Sequence, residues 1–178
     1  MTSPAVYPWF TFVNGDELEQ GDILLDCPVF IPADDVLLQE DDPVAFEWED
    51  RDVVIMTQSC DLEKGHEKVT EVLLCGLWQK SEIRTGHLAT PKGLEDARRG
   101  HLPASHLLAP CALPGFQRDI SVVDFRRVYS LPVEYLRRLA IARGDRLRIL
   151  PPYREHLAQA FARYFMRVGL PVAIPPLR

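Results

Sequence analysis

Cys60 has the residue type and the setting that a catalytic nucleophile needs. It stands in the sequence TQSCDL, directly after the apolar stretch Val53–Met56, and strand ends commonly present side chains to a cleft. A thiol there acts as a nucleophile when a histidine lowers its pKa. The candidate histidines are His66, His106 and His156. The simpler interpretation is a buried cysteine with Asp61 capping the turn that follows. We favour it because no cysteine-protease sequence surrounds Cys60.

Cysteine and histidine are also the side chains that zinc prefers. A zinc site would use Cys60, His66 and Cys75, with Cys27 as the fourth ligand. The intervening lengths, which are 32, five and eight residues in chain order, match no common zinc motif. Cys27 and Cys75 both fall within predicted strands, where an inward cysteine usually serves packing. The sequence therefore predicts no bound metal or other cofactor, and no disulfide framework.

The third group of candidate residues is a basic stripe on the predicted C-terminal helix. His156, Arg163 and Arg167 stand at i, i+7 and i+11 and therefore share one side of that helix. Arg154 stands near the helix start, where free N–H groups favour anions such as phosphate. The alternative is that Arg154 pairs with an acid and that the stripe is a solvated rim. Arginines outside this helix could extend the surface: Arg126, Arg127, Arg137 and Arg138.

Charge is divided unevenly along the chain. Residues 1–115 contain 21 acidic and 8 basic residues, whereas residues 116–178 contain 5 acidic residues and 12 arginines. Three interpretations remain open: the two halves complement each other, the basic half meets nucleic acid, or the acidic half meets a basic protein.

Length and composition exclude several classes of protein. The 178 residues suit one domain, and 47% apolar with 26% charged residues is an ordinary globular composition. Fibrous, disordered and small disulfide-rich proteins are excluded. Residues 1–10 lack the pattern of a signal peptide. The longest uncharged stretch, residues 101–117, contains three prolines and two histidines, which a membrane span would not. We expect a cytoplasmic protein without membrane contact.

The first 80 residues read as strands, and the remainder as a connector followed by strands and helices. Val53–Met56 is apolar without alternation, which predicts a strand that is buried on both faces. The predicted strands cover residues 22–31, 44–49, 53–57, 69–77, 120–125 and 146–150, with a hairpin turn at 50–52. Thr90 and Pro91 predict a short helix start within the connector, and residues 101–106 read as a loop.

Two longer helices are predicted in the C-terminal part. Ser130 and Pro132 are start signals for a helix that runs to residue 143. The last helix covers 152–168 and ends at Gly169 and Pro171. Its apolar face is predicted to be core: Tyr153, Leu157, Ala160, Phe161, Tyr164, Phe165 and Val168.

Several strings resemble a family of small bacterial proteins with no assigned activity. They are GDI at 21–23, CP at 27–28, TQSCDL at 57–62, LC at 74–75, VDFR at 123–126, PPYREHL at 151–157 and GLP at 169–171. The order of strands is also similar to the PemK/MazF toxins, which are small SH3-like barrels that cut single-stranded RNA. Arg51 stands where that family has an arginine before its second apolar strand. Leu77–Gln79 stands where the family has a threonine.

These observations predict an α+β fold with one domain over residues 1–178. An SH3-like, PemK/MazF-like barrel forms from residues 16–80, residues 81–118 connect, and 119–171 supply strands and two packed helices. The predicted function is a non-catalytic binding module of a bacterial regulatory, toxin–antitoxin-like or defence system. Its arginine-rich half contacts nucleic acid or an acidic protein, or a second copy in a homodimer. The alternatives are an endoribonuclease and a cysteine or zinc site, for which the candidate catalytic residues are Cys60, Asp61, His106 and Arg51.

Overall fold

A seven-stranded antiparallel sheet organises the computed structural model, which describes residues 7–32 and 46–166. The strands are β1 Phe10–Val13, β2 Asp22–Pro32, β3 Phe46–Ile55, β4 Glu71–Gln79, β5 Ser105–Leu108, β6 Ser121–Pro132 and β7 Arg146–Ile149. The helices of this part of the chain are α1 Pro91–Arg98, α2 Val133–Arg143 and α3 Tyr153–Phe165, together with single 3-10 turns at Ser59–Asp61, Lys80–Glu82 and His87–Ala89.

The order of strands in the sheet is β1-β7-β2-β3-β4-β6-β5. Among the described residues, β1 pairs only with β7 and β5 only with β6, so the sheet is not a closed barrel. The predicted α+β class is confirmed, but the predicted barrel closure is not. In the same part of the chain, no helix is long and apolar enough to cross a membrane.

Alternate side chains of the central strand β3 enter two separate cores, one on each face of the sheet. Val53 and Ile55 pack beneath α2, in the core that also holds Cys27. Val54 lies in the opposite core, together with Cys75 and with Leu157 of α3. The prediction of a strand buried on both faces is therefore confirmed.

The predicted hairpin at 50–52 is wrong, because β3 continues through these residues. Asp50 and Arg51 pair with Pro28 and Cys27 of β2. The irregularity lies instead in β2, where the register shifts between Leu24 and Cys27 and Asp26 takes a φ of 48°. The backbone N–H of Asp26 donates to the Asp52 carboxylate at 3.0 Å. The Asp52 side chain of β3 therefore stabilises the bulge in β2. Residues 44 and 45 of the predicted strand lie outside the described residues.

The start signals of α1 act as predicted. The Thr90 hydroxyl accepts the N–H of Gly93 at 3.0 Å, and Pro91 occupies the first turn. Glycine is required at 93 because an added Cβ would stand 1.9 Å from the carbonyl oxygen of His87. The predicted loop at 101–106 is wrong at its end, since Ser105 and His106 begin β5 and pair with β6. A four-residue strand at the edge of a sheet is ordered by pairing with its neighbour, and the local sequence does not show that this pairing occurs.

Strand β6 is twice as long as predicted and contains a wide bulge. Cys75 pairs with Val128 and the next residue, Gly76, pairs with Asp124, so residues 125–127 have no partners in β4. Ser130 therefore lies inside the strand and does not cap α2, which has no side-chain cap. The bulge buries Phe125 and leaves Arg126 and Arg127 exposed.

Helix α3 contributes less to the core than its apolar face predicts. Leu157 is fully buried, and Phe161 and Tyr164 pack on Phe125 with ring centroids 5.4 and 6.0 Å apart. The prediction that Phe165 is core is wrong: 56% of it is exposed, because its ring contacts are to Phe161 and Tyr164 of the same helix. The predicted end of the helix, residues 167–171, lies outside the described residues.

Candidate anion-binding site

A cavity of about 330 Å³ lies where the C-terminal end of α1, strand β5 and helix α3 meet. Three predicted site residues line this cavity: His106, His156 and Arg163. Arg98 and Arg99, at the C-terminal end of α1, also line it, and no described carboxylate belongs to its lining. We call this cavity the basic cavity.

Helical spacing explains how α3 presents its part of the basic cavity. His156, Gln159, Ala160 and Arg163 stand at i, i+3, i+4 and i+7, so they share one side of the helix. This is the stripe that the sequence predicts for His156 and Arg163. Arg167, its third member, lies outside the described residues.

The end of α1 is capped so that its carbonyl groups are not left free. Gly100 takes a φ of 76° and donates to the carbonyl of Ala97 at 2.9 Å. The N–H of His101 donates to the carbonyl of Asp96 at 2.8 Å. Because a glycine cap satisfies the last carbonyls, they do not compete for the arginines that border the cavity.

One carboxylate is shared between the two arginines of α1. Arg98 donates to Glu95 through Nε at 2.6 Å and Nη2 at 2.8 Å, and Arg99 donates through Nε at 2.6 Å. Arg163 forms no ion pair within residues 7–32 and 46–166. Three guanidinium groups are thus balanced by one carboxylate, so the basic cavity carries net positive charge.

His106 contributes a neutral ring to the basic cavity. Burial lowers the pKa of His106 to about 4, and the electrostatic interaction with the nearby His156 adds to this effect. The ring lies 6.4 Å from the ring of Phe125, centroid to centroid. At neutral pH His106 can both donate and accept one hydrogen bond, but it adds no charge.

A second and larger cavity, of about 560 Å³, lies beside the basic cavity. The two share Leu102, Pro103 and Ser105 as lining residues. Arg126, another predicted binding residue, lines the larger cavity and is held by Asp124 at 2.8 and 2.9 Å. We call it the large cavity.

Sequence reasoning missed several residues of these two cavities: Trp78, Arg84, Arg98 and Arg99. The adjacent pair Arg98–Arg99 before Gly100 did not indicate a site, since cations at the C-terminal end of a helix are common. Nothing in the local sequence shows that α1 faces α3.

Other predicted arginines do not reach the basic cavity. Arg154 pairs with Glu19 at 3.2 Å and with Glu155 at 3.1 Å, which is the simpler alternative stated for it. Arg137 is only 5% exposed and pairs with Glu67 at 2.5 Å, so it cannot meet a polymer. Arg127 is exposed at the β6 bulge and Arg138 on α2, and neither lines the basic cavity.

Cys60 is exposed, which corrects the prediction that it is buried. The core position of this turn is taken by Leu62. The Cys60 Sγ lies 3.6 Å from Asp61 Oδ1 and 3.8 Å from Gln58 Oε1, and no described histidine contacts it. Asp61 does not cap the turn and instead pairs with Lys68 at 3.4 Å.

The predicted zinc ligands are not brought together. Cys27 and Cys75 lie in the two different cores, and burial raises the pKa of each thiol to about 12. Among the residues that the structure describes, no three His, Cys, Asp or Glu side chains form a cluster that could hold a metal ion. The zinc hypothesis for Cys27, Cys60, His66 and Cys75 is therefore not supported.

Arg51 belongs to a different part of the surface from His106. Its guanidinium lies 5.2 Å from the ring centroid of Trp78 and pairs with Glu49. It lines a third cavity, of about 310 Å³, in the company of Asp26, Asp50 and Asp52. The candidate catalytic residues Arg51, Cys60 and His106 therefore do not form one site.

No family model matches the chain, and no curated protein is significantly similar to it.

We expect Cys60→Ser to leave both stability and ligand binding unchanged. The thiol is exposed, and its hydrogen-bond partners among the described residues are Gln58 and Asp61 of its own turn. Such surface substitutions usually change stability by less than about 0.5 kcal/mol. Thermal melting and elemental analysis of the purified protein test this expectation. Complete loss of function in the variant, or one zinc per chain in the native protein, would contradict it.

Proposed function

We propose that this protein is a non-catalytic binding module that contacts the phosphate groups of nucleic acid through the basic cavity. In this proposal it acts within a bacterial regulatory, toxin–antitoxin-like or defence system in the cytoplasm. One observation carries the proposal: Arg98, Arg99 and Arg163 converge on one concave site whose described lining contains no carboxylate. Arginine suits this role because its planar fork matches phosphate geometry.

The position of the cavity supports the same function. Arg98 and Arg99 are more than half exposed, so their guanidinium groups are accessible to a polymer. The basic residues come from two separate elements, the C-terminal end of α1 and helix α3, which allows contact with more than one phosphate. The net charge of -6 requires that the acidic surfaces face away from the bound strand.

We also propose that strands β2, β3 and β4 correspond to the SH3-like part of a PemK/MazF-type arrangement. These consecutive strands pair in antiparallel order, which is consistent with that likeness. Binding without cleavage is the better-supported activity, because Arg51 and His106 line separate cavities.

The double substitution Arg98→Gln/Arg163→Gln should weaken binding and reduce its dependence on salt. Each phosphate that the variant no longer neutralises changes the slope of log K against log salt by about 0.9 for duplex DNA and about 0.7 for single strands. Electrophoretic shift or fluorescence anisotropy with single-stranded RNA and duplex DNA, at several salt concentrations, measures both effects.

The matched control is Arg127→Gln/Arg138→Gln, which removes the same charge from exposed positions outside the basic cavity. It should leave the slope and the affinity close to those of the native protein. If both double variants changed the affinity and the salt slope equally, binding would depend on overall charge and not on the basic cavity. If neither nucleic acid binds below micromolar concentration at low salt, the proposal is wrong and the basic cavity contacts an acidic protein or a second copy of the chain.

A further inference from the structure

The large cavity has the dimensions of a small-molecule site. Its volume of about 560 Å³ falls within the range of roughly 300–1,000 Å³ found for ligand pockets. It is bordered by the end of β4, the turns between residues 80 and 89, and the start of β5. Its lining combines one large aromatic ring with groups of both charges, whereas the charged side chains that line the basic cavity are all arginines.

Trp78 supplies the aromatic wall of the large cavity. The residue is half-buried and lines both the large cavity and the third cavity, so it stands between them. Arg51, which lies over its ring, lines only the third cavity. Trp78 is therefore held in place by a cation–π contact while it borders the large cavity, and an ordered indole is a suitable stacking surface for a planar base.

Arg84 is the available cation of the large cavity. Arg126 is engaged by both oxygens of Asp124, whereas Arg84 is exposed and forms no ion pair within the described part of the chain. His87 is oriented by Asp96, whose Oδ2 lies 2.8 Å from His87 Nε2. The cavity therefore offers, within the described residues, an unpaired cation for a phosphate, and ring nitrogens and carboxylates for the polar edge of a base.

We propose that the large cavity binds one nucleotide, with its base against Trp78 and its phosphate at Arg84. The proposal rests on the proposed function, in that the adjoining basic cavity then holds a neighbouring phosphate of the same strand. A base that stacks on Trp78 cannot be paired, so a strand must present an unpaired nucleotide. A free mononucleotide carries the same base and phosphate, and the experiment distinguishes it from a nucleotide within a strand.

The test uses the full chain with the substitutions Trp9→Phe and Trp48→Phe, which leave Trp78 as the sole tryptophan. The probes are adenosine 5′-monophosphate, uridine 5′-monophosphate, ribose 5-phosphate and a twelve-nucleotide RNA, single-stranded or annealed to its complement. We expect the nucleotides and the single strand to quench Trp78 fluorescence, whereas ribose 5-phosphate should not. The duplex should bind at least tenfold more weakly than the single strand.

Two variants identify the cavity. In the otherwise native chain, Trp78→Leu and Arg84→Gln should each weaken single-strand binding roughly tenfold, in line with the contribution of one stacked base or one charged phosphate contact. Arg84 is exposed, so Arg84→Gln remains informative if Trp78→Leu fails to fold. Arg138→Gln is the matched control and should bind as the native protein does.

The outcomes separate this inference from the proposed function. Tight single-strand binding that neither variant weakens would overturn the nucleotide cavity and leave phosphate binding at the basic cavity standing. Mononucleotide binding without strand binding would support the cavity and overturn the proposed function, with a free nucleotide as the ligand. Binding of neither probe would overturn both.

Discussion

The Asp22→Ala variant should lose about 3–5 kcal/mol of unfolding free energy, because it removes the only carboxylate partner that the described residues give the buried Arg146 and one of the two partners of Arg148. The Asp22 carboxylate is fully buried and accepts from Arg146 Nε at 2.9 Å and from Arg148 Nη2 at 3.0 Å. Arg146 also donates to the carbonyl of Gly15 at 2.9 Å, so this group ties residues 15–22 to β7. Without the carboxylate, the Arg146 guanidinium stays buried with no acidic partner among the described residues, and Arg148 keeps only its pair with Glu19. Urea denaturation followed by circular dichroism measures the loss.

Asp16→Ala is the matched control for this prediction. Asp16 pairs with Lys64 at 2.5 Å, but both side chains are substantially exposed. An exposed pair contributes about 0–1 kcal/mol, so the control should unfold almost as the native protein does. If both variants lost the same stability, the buried ion pairs would not be what holds this segment to the sheet.

The ion pairs of Asp22 also explain the role of the GDI sequence at 21–23, one of the strings on which the family resemblance rests. Gly21 takes a φ of 88°, and a Cβ there would lie 3.2 Å from Cβ of Ile149 in β7. Asp22 binds the arginines of β7, and Ile23 enters the core shared with α3. Gly21 and Ile23 act in packing and Asp22 in ion pairs, so all three residues serve the fold and the string carries no information about a ligand.

Much of the fold could be predicted because the signals were local. The unalternating Val53–Met56 stretch indicated burial on both faces, and Thr90–Pro91 marked the start of α1. The errors arose where pairing decides the structure. Polar residues at 50–52 suggested a turn, but Asp50 and Arg51 pair with β2, and β3 continues past the β2 bulge. The formation of β5 likewise depends on its pairing with β6, which begins at residue 121, and a local sequence signal does not include that partner.

The residues of the candidate site likewise divide into those that local spacing predicted and those that tertiary packing decides. The spacing of His156 and Arg163 predicted one side of α3, and both residues line the basic cavity. Arg98 and Arg99 could not be added, because their approach to α3 depends on how α1 packs beside β5. Cys60 shows the opposite failure. Burial was favoured for it because no cysteine-protease sequence surrounds it, yet Cys60 is exposed and Leu62, two residues later, fills the core.

Val54→Asp should abolish cooperative folding, since it places a carboxylate in the core between the sheet and α3. Val54 is fully buried, and its neighbours there are apolar or thiol side chains such as Cys75, Leu147 and Leu157. An ionised carboxylate buried without a partner costs several kcal/mol, which approaches the whole stability of a typical domain. Circular dichroism and thermal melting measure the effect. Val128→Asp is the matched control, because Val128 lies on β6 beside Cys75 of β4 but is 38% exposed, so its charge can reach water. A native melting curve for Val54→Asp would mean that β3 is not buried on the α3 side, and the two-core arrangement would then be wrong.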